Sequence, residues 1–147
     1  MVDDGVSHDW SLVASFVASV DASLGKWLTD TYGVGLTEYR SLTLLAAAPD
    51  KELRVNDLAD RVGLSQSSAT RLVARLEAKG LARRDLCPDD GRGVYAVITE
   101  KGKALADRVR RPYRAQVAEL IGSATSSPGA DVGPLIRALH CIADLAS

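Results

Sequence analysis

The sequence predicts a mainly α-helical protein that carries one small β-hairpin. The main observation is a capped helix with a basic face at residues 66–79, which follows a shorter helix that ends at Gly63. After it, residues 81–86 and 94–98 are short strand-like stretches, joined by a loop that contains proline, aspartate and glycine. Helix, tight turn, helix and hairpin in this order form a winged helix-turn-helix.

The basic helix has clear start and stop signals. Ser65 is placed to cap the free backbone N–H groups of a helix that begins near Gln66. Gly80 follows Lys79 at the position where a left-handed residue would end the helix. Between them, apolar residues recur at three- and four-residue spacing, at Ala69, Leu72, Val73 and Leu76. The helix therefore has one face for a core and another for a partner.

Positive charge is concentrated in this part of the chain. The 147 residues have a formal net charge of -1, which by itself does not predict affinity for nucleic acid. Residues 1–60, however, contain four basic and ten acidic residues, whereas residues 61–92 contain seven basic and four acidic ones. Small polar side chains at the start of the helix, with Arg71 and Arg75 one turn apart, suit the major groove of B-form DNA, which admits one α-helix. A solvated basic face is the alternative for such a helix taken alone, but the adjacent helix and hairpin favour DNA.

Amphipathic helices are predicted at both ends of the chain. Residues 8–31, and the residues from Asp131 onward, repeat apolar side chains at steps of three and four. Because a winged helix needs neither helix, we expect a two-fold symmetric partner to bury both apolar faces. Packing of the two helices against each other within one chain is the alternative. The apolar positions are Trp10, Val13, Val17, Val20, Leu24, Trp27 and Leu28 in the first helix, and Val132, Leu135, Ile136, Leu139, Ile142 and Ala143 in the second.

The remaining segments complete the predicted organisation. Thr99 caps a long connecting helix that extends to Ile121 and is expected to bend at Pro112, whose ring interrupts helical hydrogen bonding. Residues 122–134, rich in serine, glycine and proline, are predicted to form a loop. The chain is therefore divided into an N-terminal dimerisation helix, a winged helix-turn-helix DNA-binding domain and C-terminal dimerisation helices, at residues 1–34, 35–100 and 101–147.

Other functional classes find little support in the sequence. No apolar stretch is long enough to span a bilayer and no signal peptide is visible, so we expect a cytoplasmic protein without a membrane partner. The sequence places no histidine or lysine base near the serines at 65–68 or near Asp89 and Asp90, and it has no glycine-rich phosphate loop. We therefore expect neither an enzyme nor a bound cofactor. No metal site is expected either, because the histidines and cysteines lack ligand spacing.

Two alternatives to a simple DNA-binding protein stay open. Cys87 opens the hairpin loop close to Arg83 and Arg84, whose charge would favour a reactive thiolate and hence redox control. Two cysteines are too few for a disulfide framework, so an idle thiol is the simpler interpretation. The second alternative is a winged helix that binds another protein and no DNA. Retardation of a palindromic DNA fragment that weakens with salt would exclude the second alternative.

Five segments, in this order and spacing, resemble the MarR family of transcriptional regulators. They are residues 36–40 (LTEYR), 55–65 (VNDLADRVGLS), 71–81 (RLVARLEAKGL), 90–92 (DGR) and 98–102 (ITEKG). The resemblance implies a homodimer in which terminal helices intertwine and two winged-helix lobes read a pseudo-palindromic operator in double-stranded DNA. It also implies a repressor that a small aromatic or otherwise lipophilic effector releases from DNA.

Carried over residue by residue, the resemblance assigns DNA contacts to the basic helix and to the hairpin loop. Arg92 matches the arginine that enters the minor groove, and Asp90 matches the carboxylate that holds it. Gly91 stands where many members have a second arginine, so we expect weaker binding or a shallower salt dependence. To these residues the charge pattern adds Arg75 and Arg84. The residues that match the family's major-groove segment are Ser65, Gln66, Ser67, Ser68, Thr70 and Arg71.

An effector site is predicted in the crevice between the terminal helices and the winged lobe. Its aromatic side chains would stack on a planar ligand, and Arg40 would pair with a carboxylate, although a surface salt bridge is the simpler role for this arginine. An inter-lobe core formed by the same side chains is the alternative. The residues of this hypothesis are Trp27, Tyr39, Arg40, Leu44, Val109 and Tyr113.

Overall fold

Helices and short strands alternate along the chain in a computed structural model, which describes residues 4–86, 93–124 and 133–147. The first half of the chain supplies a long helix, a second helix, one strand and a helix-turn-helix. The second half supplies a hairpin and two further helices. In chain order the elements are α1 (Asp4–Tyr32), α2 (Leu36–Ala47), β1 (Glu52–Arg54), α3 (Val55–Val62), α4 (Gln66–Ala78), β2 (Ala82–Leu86), β3 (Val94–Ile98), α5 (Glu100–Ala124) and α6 (Gly133–Leu145).

The predicted helix-turn-helix and hairpin are confirmed. Helices α3 and α4 are separated by Gly63, which has a φ of 71° and ends α3 in the left-handed conformation. Ser65 caps α4, because its Oγ accepts a hydrogen bond from the backbone N–H of Ser68 at 3.2 Å. Gly80, also at a φ of 71°, follows Lys79 at the end of α4. Local signals in the sequence therefore determine where α3 ends and where α4 begins and ends.

The sheet has one strand more than the sequence predicts. Strand β3 lies between β1 and β2, and both neighbours pair with it in the antiparallel sense. Leu53 pairs with Ala96 on one side, and Arg84 pairs with the same residue on the other. Because β1 contains only three residues, it shows no alternation that would mark it as a strand. Its pairing with β3 defines it.

Arg54, directly before α3, connects β1 to β3 and does not cap the helix. Its side chain makes no capping hydrogen bond. The guanidinium Nε donates a hydrogen bond to the hydroxyl of Tyr95 at 3.0 Å, and the guanidinium carbon lies 5.6 Å from the centre of the same ring. Because Arg54 pairs with Tyr95 across β1 and β3, the two side chains connect the strands on one face.

The core lies between α2, α3, α4, the sheet and the first half of α5. Leu28 of α1 also belongs to it and is fully buried. Thr99 caps the start of α5, because its Oγ1 accepts a hydrogen bond from the N–H of Gly102 at 3.1 Å. Helix α5 continues through Pro112; the bend at this residue stays a prediction. The central buried side chains are Leu42, Leu45, Leu58, Ala69, Leu72, Val73, Leu76, Ala96 and Val109.

The outer half of α1 and helix α6 do not contribute to this core. Leu24 and Leu28 of α1 are buried, whereas Trp10 is 70% exposed and Val13 and Val17 are nearly half exposed. In α6 no residue is buried, although Ile136, Leu139 and Ile142 form an apolar row. None of the helices in the described part of the chain is long and apolar enough to cross a membrane.

Candidate nucleic-acid interface

The first half of α4 presents an uncovered polar face. Its opposite side is anchored by Ala69, Leu72, Val73 and Leu76, each of which is completely buried. The spacing of the apolar residues in α4 therefore correctly predicts which side of the helix packs against the core and which side is exposed. We call the exposed residues the polar face of α4; they are Ser65, Gln66, Ser67, Thr70 and Arg71, with Ser68 half-buried beside them.

Hydrogen bonds within the first turn hold this face in one arrangement. The hydroxyl of Ser65 lies 3.0 Å from that of Ser68 and 3.3 Å from that of Ser67. Arg71 donates from Nη2 to Ser68 Oγ at 3.2 Å. A guanidinium has five N–H donors, so this bond fixes the direction of the side chain and leaves donors for a base edge or a phosphate.

Other basic side chains near α4 have acidic partners within the chain. Arg75 donates from Nε to Glu38 Oε1 at 3.4 Å, and Arg84 donates from Nη2 to Glu77 Oε1 at 3.0 Å. The backbone N–H of Arg84 also donates to Glu77 at 2.9 Å, and this bond, followed by the side-chain bonds, lowers the pKa of Glu77. Both arginine side chains are about half exposed. Their DNA contacts stay predictions.

A narrow groove of about 170 Å³ runs between the polar face of α4 and the sheet. Gln66 and Thr70 line it from α4, and Asn56 lines it from the first turn of α3. Asn56 and Arg54 were not among the predicted site residues. The sequence could have pointed to these two residues. They stand at the start of α3, and the starts of α3 and α4 lie side by side in the helix-turn-helix. The groove places the beginning of α3 next to the face that would read DNA.

The tip of the hairpin lies outside the described residues. This concerns the predicted minor-groove residue Arg92, its partner Asp90 and the redox candidate Cys87, all of which stay predictions. The strands that lead to the tip end at Leu86 and begin again at Val94, and both of these side chains are exposed. Among the described residues, Cys141 is a free and exposed cysteine, and no group of three histidine, cysteine or acidic side chains is placed to hold a metal ion.

The predicted effector residues are distributed around the core. Tyr39 and Val109 are buried in it, and the rings of Tyr39 and Tyr113 lie 4.7 Å apart. Burial raises the pKa of the Tyr39 hydroxyl, and the nearby Tyr113 adds to this shift. Trp27 and Leu44 are half-buried against the same core. This arrangement agrees with the inter-lobe core that the sequence also suggested, and the effector role of these residues stays a prediction.

Arg40, the sixth effector candidate, forms a surface salt bridge, which is the simpler of the two roles that the sequence suggested for it. Its Nη2 and Nη1 donate to the two carboxylate oxygens of Asp21 at 2.9 and 3.3 Å. This paired geometry joins α2 to the middle of α1. Burial opposes the charge of Arg40, but the interactions with Asp21, followed by those with Tyr113, outweigh burial and raise its pKa.

Comparisons with known proteins agree with this architecture. The sequence profile of the MarR family matches residues 32–93, from the end of α1 to the start of β3. The chain is 34% identical over 90 residues to the HTH-type transcriptional regulator MhqR of Bacillus subtilis (strain 168). This match spans 61% of the chain and 61% of MhqR, which is less than two thirds of that relative.

Solved structures extend the likeness to nearly the whole chain. AbsC, a MarR family transcriptional regulator from Streptomyces coelicolor, has a TM-score of 0.77 and 26% identity, over 99% of this chain and 97% of AbsC. Sco3205, another such regulator from Streptomyces coelicolor, was solved in complex with DNA. It has a TM-score of 0.82 and 23% identity, over 99% of this chain and 88% of its own. The matched segment, the helix-turn-helix and the terminal helices together make the chain similar to MarR family transcriptional regulators.

Proposed function

We propose that the chain is a sequence-specific DNA-binding transcriptional regulator. The observation that carries this proposal is the exposed polar face of α4, with hydrogen-bonded serine hydroxyls in its first turn and a fully buried apolar row on the opposite side of the helix. A single helix of this kind fits the major groove, where base edges present a distinguishable pattern of donors and acceptors. Sco3205, which shares the fold, was solved in complex with DNA, and this supports DNA binding by the present chain.

The proposed active form is a homodimer on a pseudo-palindromic operator. Exposed apolar side chains recur on α1 at Val6, Trp10, Val13 and Val17, and a second such row lies on α6. Contiguous apolar surface of this kind marks an interaction site. Two subunits would place two copies of α4 in successive major grooves, about 34 Å apart. We assign residues 35–100 to DNA binding, and residues 1–34 and 101–147 to dimerisation.

A regulator of this type would act in the cytoplasm and, by our proposal, as a repressor without catalytic activity. An effector can change DNA binding only if it has different affinities for two states of the dimer. In one state the distance between the two winged-helix lobes fits DNA, and in the other it does not. The structure of Bordetella bronchiseptica BpsR, which shares the fold, concerns regulation of its DNA binding by 6-hydroxynicotinic acid. This supports a small aromatic or lipophilic effector for the present chain.

The effector hypothesis predicts a ligand-dependent thermal shift. We expect an aromatic acid that binds beside Trp27 to raise the Tm of the protein by several degrees at saturating concentration, because ligand binding stabilises only the folded state. Trp27→Ala should reduce the shift while Lys26→Ala, its exposed neighbour on α1, should retain it. Screening a panel of aromatic acids by differential scanning fluorimetry checks this. The absence of any shift in all three proteins would refute the hypothesis.

The DNA-binding function is tested by selecting a site from random duplexes and measuring retardation at several salt concentrations. We expect Arg92→Ala to weaken binding about tenfold without changing Tm, because a minor-groove arginine contributes contacts and no core. Arg71→Ala should relax the preference at one or two base positions, since a base contact costs about 1 to 3 kcal/mol when it is lost. Lys26→Ala, an exposed cation on α1, serves as the control and should bind as the wild type does.

The same measurement has a clear negative outcome. A wild-type protein that retards no duplex even at low salt would overturn the proposed function and favour a protein-binding winged helix. Unchanged binding in both Arg71→Ala and Arg92→Ala would place the DNA contacts elsewhere on the chain.

A further inference from the structure

Glu38 is a buried carboxylate with an unusual number of partners. Its side chain is 7% exposed, and three donors surround its two oxygens. The backbone N–H of Gly35 donates to Oε2 at 3.1 Å, Lys79 Nζ donates to Oε2 at 2.7 Å, and Arg75 Nε lies 3.4 Å from Oε1. Burial opposes ionisation, but these bonds together outweigh burial and lower the pKa of Glu38.

The partners of Glu38 come from different helices. Glu38 lies in the first turn of α2 and accepts from the backbone N–H of Gly35, the residue before that helix, whereas Arg75 and Lys79 belong to the end of α4. Lys79 also donates from Nζ to the carbonyl oxygen of Gly33 at 2.9 Å, directly after α1 ends. The ammonium group therefore joins the end of α1, the start of α2 and the end of α4.

A fourth helix holds the end of α4 from another direction. Thr99, which caps α5, donates from Oγ1 to the carbonyl oxygen of Gly80 at 2.6 Å. Lys101, in the first turn of α5, donates from Nζ to the carbonyl oxygen of Lys79 at 3.0 Å. The end of α4 is thus fastened both to α5 and, through Glu38, to the α1–α2 junction.

We propose that Glu38 is a positioning residue for DNA recognition: through Lys79 it fixes the orientation of α4 relative to the α1–α2 junction before DNA binds. This proposal rests on the DNA-binding function proposed above. It also assigns Lys79 to an internal role, although its charge and position at the end of the basic helix suggest a phosphate contact. Capping of α2 alone does not explain the arrangement, because a neutral glutamine would cap equally well.

Glu38→Gln isolates the contribution of the charge. A glutamine side chain has one acceptor oxygen and one donor nitrogen, so it cannot accept from Gly35, Lys79 and Arg75 as the carboxylate does. We expect the variant to fold and to bind the selected duplex about tenfold more weakly at constant salt, because a pair in direct contact contributes about this much. Asp107→Asn is the matched control: it removes a carboxylate that pairs with Arg110 on the exposed side of α5, and should bind as the wild type does.

A double-variant cycle with Lys79→Met separates positioning from direct contact with DNA. If Lys79 acts through Glu38, the single variants and the double variant should all bind about tenfold more weakly, with the same dependence of log K on log salt as the wild type. If Lys79 instead contacts a phosphate, the losses should multiply and the salt slope should decrease by about 0.9 for each lost contact. The second outcome would overturn the proposal, as would wild-type affinity in Glu38→Gln.

Hydrogen exchange tests the proposal even if no DNA site is found. Without DNA, the amides of residues 76–81 at the end of α4 should exchange about tenfold faster in Glu38→Gln than in the wild type, since the end of the helix opens locally when it loses its partner. Asp107→Asn should leave them unchanged. Equal exchange in Glu38→Gln and the wild type would refute the positioning role, whereas failure of the wild type to bind any duplex would refute only the proposed function.

Discussion

Val13→Asp is expected to convert the proposed homodimer into a monomer and to reduce affinity for a two-half-site operator at least a hundredfold. Val13 lies in the exposed apolar row of α1, between Trp10 and Val17. A carboxylate buried there by a partner subunit would lack a hydrogen-bonding partner in that row, at a cost of several kcal/mol. A monomer has one copy of α4, and it loses the factor of about 100 to 10,000 that a second, linked contact contributes.

The experiment combines analytical ultracentrifugation with DNA retardation. Ser15→Asp introduces the same charge on a different side of α1, where Ser15 is also exposed, and should leave both the dimer and the affinity unchanged. Circular dichroism should report folded protein for both variants, because the outer half of α1 contributes nothing to the core of its own lobe. A Val13→Asp protein that sediments as a dimer would move the dimer interface away from α1.

The apolar stripe of α1 illustrates what periodicity can and cannot predict. The repeat from Trp10 to Leu28 correctly indicates a single amphipathic helix. It does not indicate that Leu24 and Leu28 pack into the core of their own lobe while Trp10 and Val13 stay exposed. Spacing identifies which residues share a helix face; it carries no information on what covers each part of that face.

A similar limit applies to the sheet and to the basic residues. Residues 82–86 and 94–98 are recognisable as strands, because a turn-rich loop separates them, whereas Glu52–Arg54 becomes a strand only by pairing with β3, more than 40 residues later. Charge counting treats every arginine near α4 as a potential DNA contact. The structure pairs Arg75 with Glu38, which lies 37 residues earlier. This long-range pairing has no local signal, while the cap at Ser65 is a local feature and is predicted correctly.

Gly102→Ala is expected to destabilise the protein by about 3 kcal/mol or more, since overpacking against a backbone cannot be relieved by a change of rotamer. A Cβ at this position would lie 2.1 Å from the carbonyl oxygen of Leu81 and 2.8 Å from Ile98 Cγ1. The carbonyl oxygen of Leu81 accepts a hydrogen bond from the N–H of Thr99 at 3.1 Å, so it cannot move away without breaking that bond. Glycine at 102 therefore allows the first turn of α5 to lie directly against the turn after α4.

Urea denaturation with a matched glycine variant tests this packing. Gly25→Ala, inside α1, places its Cβ at an ordinary 3.8 Å from Leu36 Cβ, and we expect it to stabilise the protein by about 0.5 to 1 kcal/mol through helix propensity. If the free energy of unfolding falls in Gly102→Ala and rises in Gly25→Ala, the close approach of α5 to Leu81, and not helix propensity, is the reason for the glycine at 102. Equal stability of Gly102→Ala and the wild type would mean that α5 lies further from Leu81. Because Thr99 and Lys101 hold the end of α4 from the same turn of α5, loss of this packing should also weaken DNA binding at urea concentrations that leave the protein folded.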